Sequence, residues 1–218
     1  MTSSPSPSTP TTSHTLIALD ESLTNTTATH AAHVALYFGE TSIHHSRQRT
    51  AASTTFYVLM QMRADGTIGF PGGVVDEDVG RDGAAAVLAG LDRELKEEVA
   101  YTGRKMALAE YVCSHLTKNV KEFEQGLVCH FFARELSAKA FKAIEKSHHE
   151  ARDFPGEQLG VFRVPIVVEV DQSGRQVVVN EQFWKEFAKM PFIGNSKEQL
   201  TCAAEKAGLI APGELDRF

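Results

Sequence analysis

The 218-residue sequence is poor in cysteine, in long apolar runs and in net positive charge. Each shortage excludes something. The three cysteines, Cys113, Cys129 and Cys202, lie far apart and form no paired motif. A disulfide framework and metal binding through sulfur are therefore not expected, and free thiols suit a reducing compartment. No apolar run approaches the ~20 residues of a membrane-spanning helix, so no membrane partner is expected. The basic region and apolar core of a secretory signal are also missing from the N-terminal stretch. A formal net charge of -6 gives no global field to draw in long nucleic acid, so any RNA contact needs a local basic patch. No Asp, Glu, Lys or Arg precedes Asp20, which argues against an Arg-rich transit peptide.

What is present sorts the chain into parts. Thr2 to Ser13 are all Ser, Thr or Pro, and such a segment cannot bury enough surface to offset its ordering entropy. Residues 1–20 are expected to be a disordered tail, residues 21–211 one domain, and residues 212–218, after the Pro212-Gly213 break, a fraying C-terminal tail. The apolar share, 42%, is that of an ordinary globular domain. Strands are expected at Ala31–Phe38, Thr55–Arg63, Met106–His115, Gly126–Arg134 and Gly160–Val170. Pro165 marks the last of these as an edge strand or a bulge. Thr55–Arg63 is nearly continuous in apolar character, which suits burial on both faces. Asp65-Gly66 reads as a hairpin turn, with Thr67–Phe70 pairing back. Glu40–Ser53 and Thr117–Gln125 are polar and read as loops. Helices are expected at Ala138–His148, with Ser137 as N-cap, at Gln182–Met190 and at Ser196–Ala207. The order is that of an α/β (α+β) fold, a mixed sheet sandwiched between helices.

The richest stretch runs from Gly72 to Gly103. Gly72-Gly73 follows a strand end, where glycine permits close backbone approach or positive φ. A helix follows. Its Leu88, Leu91, Leu95 and Val99 share one apolar stripe. Glu94 and Glu98 are four residues apart and Glu97 borders them, so three carboxylates crowd one edge of that stripe. Like charges at this spacing destabilise a helix by roughly 0.2–0.5 kcal/mol per pair. A hard divalent cation, which takes carboxylate and phosphate oxygens, would reverse the sign. By themselves three helical glutamates are an ordinary solvated acidic face.

The combination of Gly72-Gly73, a loop, and Arg93-Glu94-Leu95-Lys96-Glu97-Glu98 resembles the signature of the Nudix hydrolases, which cleave nucleoside diphosphates linked to another group. The sequence departs from that pattern at Ala85, where a Glu is usual, in the long loop from Val74 to Gly83, and at Ala100, where a Gly is usual. Gly103 is expected to supply the left-handed helix cap instead. Further stretches resemble the branch of the family with (deoxy)inosine diphosphatase and small nucleolar RNA decapping activity. They are His30-Ala31-Ala32-His33, Met62-Arg63, Gly69-Phe70-Pro71-Gly72-Gly73, Ser114-His115, Gly160 to Pro165, Phe192-Ile193-Gly194 and Glu198-Gln199-Leu200.

The resemblance implies a metal-dependent enzyme that cleaves the diphosphate of purine nucleotides such as IDP and dIDP, and the 5' cap of RNA, by water attack on phosphorus. It implies Mg²⁺ or Mn²⁺ held by the Gly72 carbonyl, Glu94, Glu98 and His115. Glu97 stands close by, and Arg93 fixes the glutamates. His33 would meet the purine, Arg63 the phosphates, Phe70 the base pocket and Gln199 the base edge. Glu198 and Glu205 are equal candidates for a further acid from the last helix. The resemblance also implies a homodimer in the nucleus or cytoplasm. Arg47, Arg49, Arg104, Lys105, Lys118 and Lys121 could track RNA. Hydrolysis of ADP-ribose, FAD or a dinucleotide, and a non-catalytic module binding RNA or protein, remain alternatives, since the helix serves any diphosphate.

Overall fold

A computed structural model describes residues 13–45 and 50–218. Its centre is a nine-stranded mixed sheet. In chain order the strands are β1 (Ser13–Ile17), β2 (Thr29–His45), β3 (Thr50–Arg63), β4 (Ile68–Gly69), β5 (Gly72–Val74), β6 (Tyr111–Lys118), β7 (Leu127–Glu135), β8 (Gln158–Val170) and β9 (Gln176–Val178). The helices are α1 (Leu19–Thr24), α2 (Val79–Asp82), α3 (Ala84–Val99), α4 (Ala138–Ser147), α5 (Glu181–Phe187) and α6 (Ser196–Lys206). The spatial order is β1-β6-β7-β2-β3-β8-β9, with β4 on β3 and β5 on β2. Among the paired strands of the described residues, β2 and β7 run parallel and the other pairs antiparallel.

Alternation along the central strands sends side chains to two cores. Val34, Leu36 and Phe38 of β2 and Leu59 of β3 pack with Leu91, Leu95 and Val99 of α3 and Phe141 and Ile144 of α4. Val58 and Met60 face the opposite way, toward Phe131, Ile166, Trp184 and Phe187 of α5, and Leu200 of α6. β3 is thus buried on both faces, as its unbroken apolar run predicts. Each fully buried aliphatic side chain of the α3 stripe contributes ~1.5–3 kcal/mol of transfer free energy. Leu88 lies at the margin of that core. Pro165 pairs with Tyr57 on β3, while β9 reaches only Val168. The side of β8 beyond it is therefore open at this point, and Pro165 O accepts from Asn180 Nδ2 at 2.9 Å.

Several boundaries differ from expectation. The tail expected through residue 20 gives way to structure at Ser13, because β1 pairs with β6 from Ser13–Lys118 to Ile17–Ser114; residues 1–12 lie outside the described residues. Of the stretch expected as a loop at Glu40–Ser53, residues 46–49 lie outside the described residues, and on either side of them β2 and β3 continue pairing as far as His45–Thr50. Glu40 to Ile43 of this two-stranded ribbon are exposed, so no run of buried side chains imposes an alternation there. Strand β6 starts at Tyr111 rather than Met106, preceded by a 3-10 turn at Leu108–Glu110, and it runs on through Thr117 and Lys118. The C-terminal tail is packed: Leu215 is buried, and Glu214 pairs with Arg175 and Arg217. Helix α3 ends on Ala100 itself, left-handed at φ 52 and ψ 34, and Gly103 takes no part in the cap.

Candidate active site

The site begins at β5. Val34 N–H bonds Pro71 O, and Val75 N–H bonds His30 O. By the alternation of an antiparallel ladder, the His33–Gly72 pair between them is left unbonded. Gly72 therefore turns its own N–H and C=O away from β2. Its N–H donates to Glu98 Oε2 at 2.8 Å. Gly72 has φ +130, and a Cβ there would lie 2.1 Å from Ala32 O. At Gly73 a Cβ would lie 2.6 Å from Glu94 Oε2. The glycine pair is thus explained twice: one residue fits the backbone of β2, and the other leaves room for a carboxylate of α3.

Glu98 is 2% exposed. Both of its side-chain hydrogen bonds fall on Oε2, from Gly72 N–H and from Gln61 Nε2 at 3.1 Å. Burial outweighs these donors and pushes its carboxyl from 4.5 up to about 7. Glu94 is also raised, first by burial and then by the nearby Glu97 and Glu157 charges, against the lowering pull of Arg93. Arg93 spans the acids: Nη1 donates to Glu94 Oε1 at 2.6 Å and to Glu97 Oε2 at 3.1 Å, and Nη2 to Val74 O at 2.9 Å. Glu97 Oε1 accepts from Arg152 Nη1 at 2.6 Å, so both oxygens of Glu97 are already neutralised. Two partly buried carboxylates disfavoured as anions, beside an outward-turned carbonyl, are a hard-oxygen donor set of the kind that suits Mg²⁺ or Mn²⁺.

These acids line a cavity of about 820 Å³. Its wall also includes His33, Arg63, Phe70, Gly72 and Gln199. The structure therefore brings together all the expected site residues except one. Phe70 packs on Phe131 with ring centroids 4.8 Å apart. Arg63 is partly exposed and held only loosely, 3.5 Å from Asp65. His33 is neutral, its pKa lowered to about 4 by burial and by Arg63, and its buried Nδ1 has no partner. Gln199 is buried on α6.

The exception is His115, which does not line the cavity. In register it lies opposite Cys129, Ala31 and Val74 in turn, three strand spacings or about 14 Å from β5. Neither candidate acid of the last helix reaches the cavity wall either: Glu205 accepts from Gly213 N–H at 2.7 Å, and Glu198 sits near His115. Glu157 takes that place on the wall, delivered by the segment between α4 and β8 together with Arg152 and Asp153. Nothing local in the sequence marks Glu157. Asn195 was equally hidden; it is buried on the wall and its Nδ2 has no partner. His14 of β1 also lines the cavity, bonded to Thr117 Oγ1 at 2.9 Å. Of the basic residues considered for RNA, Arg104 is tied to Glu110 at 2.6 Å, while Arg47 and Arg49 lie outside the described residues.

The family model described as "Nudt16-like: U8 snoRNA-decapping enzyme-like" matches residues 30–210. The chain belongs to this family. Its sheep relative, named U8 snoRNA-decapping enzyme, is 36% identical over 186 residues, 84% of each chain. A mouse protein of the same name is 35% identical over 72% of this chain and 73% of its own. Another mouse relative, named Tudor-interacting repair regulator protein, is 33% identical over 73% of this chain and 67% of its own. The Nudt16-like match covers the sheet from His30 of β2 onward, the signature helix and α6, and leaves out β1 and residues 211–218. Among the described residues no helix is long and apolar enough to cross a membrane.

Proposed function

We propose that this protein is a Mg²⁺- or Mn²⁺-dependent hydrolase that cleaves the diphosphate of purine nucleotides such as IDP and dIDP, and the 5' cap of RNA. The observation that carries this reading is the placement of Glu94 and Glu98 in the same cavity as an aromatic wall and unpartnered polar groups. The acidic edge suits a diphosphate with its cations, and the aromatic and polar lining suits a base.

Gly72 O, Glu94 and Glu98 would hold the cation, which supplies Lewis acidity and offsets phosphate charge. The protein's own groups do the rest. Arg63 presents a planar guanidinium to phosphate oxygens. Phe70 lines the base pocket. His33, neutral and with Nδ1 unpartnered, can donate to or accept from the purine, and Gln199 and the amide of Asn195 supply further polar contacts to the base edge. Arg93 fixes Glu94 and Glu97 rather than touching substrate. Glu97 has both oxygens engaged, by Arg93 and Arg152. Glu94 and Glu98 are the better proton acceptors for the attacking water, because burial has raised both carboxyl groups. The relatives that decap U8 snoRNA favour the RNA branch of this reading and a nuclear site of action, with the cytoplasm as the other compartment. A homodimer is proposed from the family resemblance alone.

Phosphate release from IDP, dIDP, ADP-ribose, FAD and methylguanosine-capped RNA, with Mg²⁺ and with Mn²⁺, tests the proposal. Turnover of the inosine nucleotides or of capped RNA is expected. Glu98→Gln should lower it roughly a hundredfold or more, the scale of losing an electrostatic group aimed at the transition state. Turnover of ADP-ribose or FAD alone would move the substrate assignment. No turnover of any substrate would overturn the hydrolase reading in favour of a binding module, the kind of role that the name of the repair-regulator relatives describes.

A further inference from the structure

Two of the three cysteines, far apart in sequence, meet. Cys113 and His115 are two apart on β6 and so share a face of the sheet. Across from them, α6 presents Cys202. The Sγ atoms of Cys113 and Cys202 and a ring nitrogen of His115 all lie within 4.8 Å of one another. Cys113 Sγ is 3.8 Å from His115 Nδ1. Cys113 and His115 are buried and Cys202 is half-buried. The expectation that sulfur binds no metal here rested on spacing along the chain, and the fold removes that premise.

We propose that Cys113, His115 and Cys202 form a site for Zn²⁺, separate from the carboxylate site. Two thiolates and an imidazole are a soft donor set that selects zinc over magnesium or manganese. Donor atoms this close are near the spacing of a tetrahedral shell with metal–ligand bonds of about 2.0–2.3 Å, so small side-chain rotations complete it. The fourth position is left for water or for Glu198. Glu198 lies one helical turn before Cys202 on α6, and its charge acts on both Cys202 and His115. The sulfurs are unequal without a metal: the Cys113 thiol donates toward Cys202, which draws the Cys202 thiol down to about 7, while the same bond and burial push the Cys113 thiol up, so a metal ion must displace the Cys113 proton. Without a metal the same three groups have only weak thiol hydrogen bonds to offset their burial. Zinc here would fasten α6 to β6. Because α6 carries Gln199 and Ser196 of the cavity wall, the metal would set the position of the base-binding side.

Cobalt titration of the reduced full-length protein, in excess Mg²⁺ to fill the carboxylate site, tests this. One equivalent of Co²⁺ should give a thiolate-to-cobalt absorption that Zn²⁺ abolishes by displacement. The band should be absent in Cys113→Ser and Cys202→Ser and should persist in Glu98→Gln, which separates this site from the hydrolytic one. Zinc should raise the unfolding temperature of the parent protein and not that of Cys202→Ser. Cys202 is only half-buried, so that variant should fold even if Cys113→Ser does not. No thiolate band in the parent protein, or a band that survives Cys202→Ser, would overturn the proposal. So would a Cys113–Cys202 disulfide whose reduction restores no cobalt uptake.

Discussion

Gly72 and Gly73 are neighbours, yet substitution should fail differently at each. A methyl at Gly72 meets the Ala32 carbonyl at 2.1 Å, on a backbone with φ +130. The conformation alone costs ~1–3 kcal/mol for a residue with a side chain, and the clash is with backbone that cannot turn aside. Gly72→Ala should therefore lose folded protein, seen as a large drop in unfolding temperature. A methyl at Gly73 meets only the end of the Glu94 side chain, which can rotate. Gly73→Ala should fold nearly normally and lose most of its cation-dependent turnover. Equal thermal destabilisation of the two variants would contradict this. Glu98 sets a second residue-scale expectation. Its carboxyl is raised from 4.5 to about 7, so a cation must displace a proton below that pH. Apparent Mn²⁺ affinity should fall as pH drops through 7, by up to about tenfold per unit. Affinity that is flat from pH 8 to 5.5 would contradict the assignment.

The same groups give opposite contributions to stability. Glu98 is raised, so its contribution is complete below 4.5 and lost as pH climbs toward 7. His33 and His130 are depressed from 6.5 to about 4 and about 3, chiefly by burial. Their contribution is present above 6.5 and lost as pH falls toward those values. His130 is locked in a buried chain, 2.9 Å from His30 Nδ1 and 3.0 Å from Ser114 Oγ, and the His30 charge adds to its depression. Glu94 is raised as well, and His115 is lowered by burial; three depressed histidines thus oppose two raised glutamates, so the metal-free protein should lose stability as pH drops below 6.5. A higher unfolding temperature at pH 5 than at pH 7 would refute this balance.

Helix α3 shows how far an element can be read in advance. The stripe of Leu91, Leu95 and Val99 and the acid edge follow from a 100° turn per residue, and both are where that rule places them. Its exit is different. Ala100 occupies a left-handed position that glycine adopts at little steric cost, so Ala100→Gly should stabilise the protein by about 1 kcal/mol in denaturant unfolding. A destabilisation would mean that the Ala100 methyl contributes packing that outweighs its backbone strain. The polar residues of the β2–β3 ribbon carry no period that distinguishes a strand from a loop; the strand there is defined by pairing from Glu40–Thr55 to His45–Thr50. Ser13–Ile17 likewise carry no local strand signal. Their strand is specified by the open edge of β6, which no local pattern in the tail records.

At the scale of the molecule, the sheet gathers what the chain separates. The acids come from α3, the base-side groups from β2, from Phe70 between β4 and β5, and from α6 and the residue before it, and Glu157 from the loop before β8. Motifs that act through local spacing were visible in the sequence: the glycine pair, the arginine-glutamate helix and the stretch around His33. Contributors that act through tertiary approach were not, and Glu157, Asn195 and the Cys113–His115–Cys202 cluster are of that kind. His115 is the instructive case. It was assigned by resemblance to the carboxylate cation site, and the register of β6, β7, β2 and β5 carries it away from that site toward sulfur. Leu95 ties the scales together: it is fully buried under the sheet, and Leu95→Ala should cost ~2–5 kcal/mol and weaken cation binding by loosening Glu94 and Glu98. Wild-type cation affinity in Leu95→Ala would detach the site from the core that supports it.

The central claim is that Glu94 and Glu98 tolerate burial beside each other because a divalent cation binds there with a diphosphate. Calorimetric titration of Mn²⁺ into the parent protein and into Glu98→Gln at pH 8, each with and without a nonhydrolysable diphosphate ligand, addresses it directly. The parent should bind Mn²⁺, and bind it more tightly with the ligand present. Glu98→Gln should lose at least tenfold in affinity and most of that coupling. Equal Mn²⁺ binding by the two proteins, or no binding by either, would contradict the account.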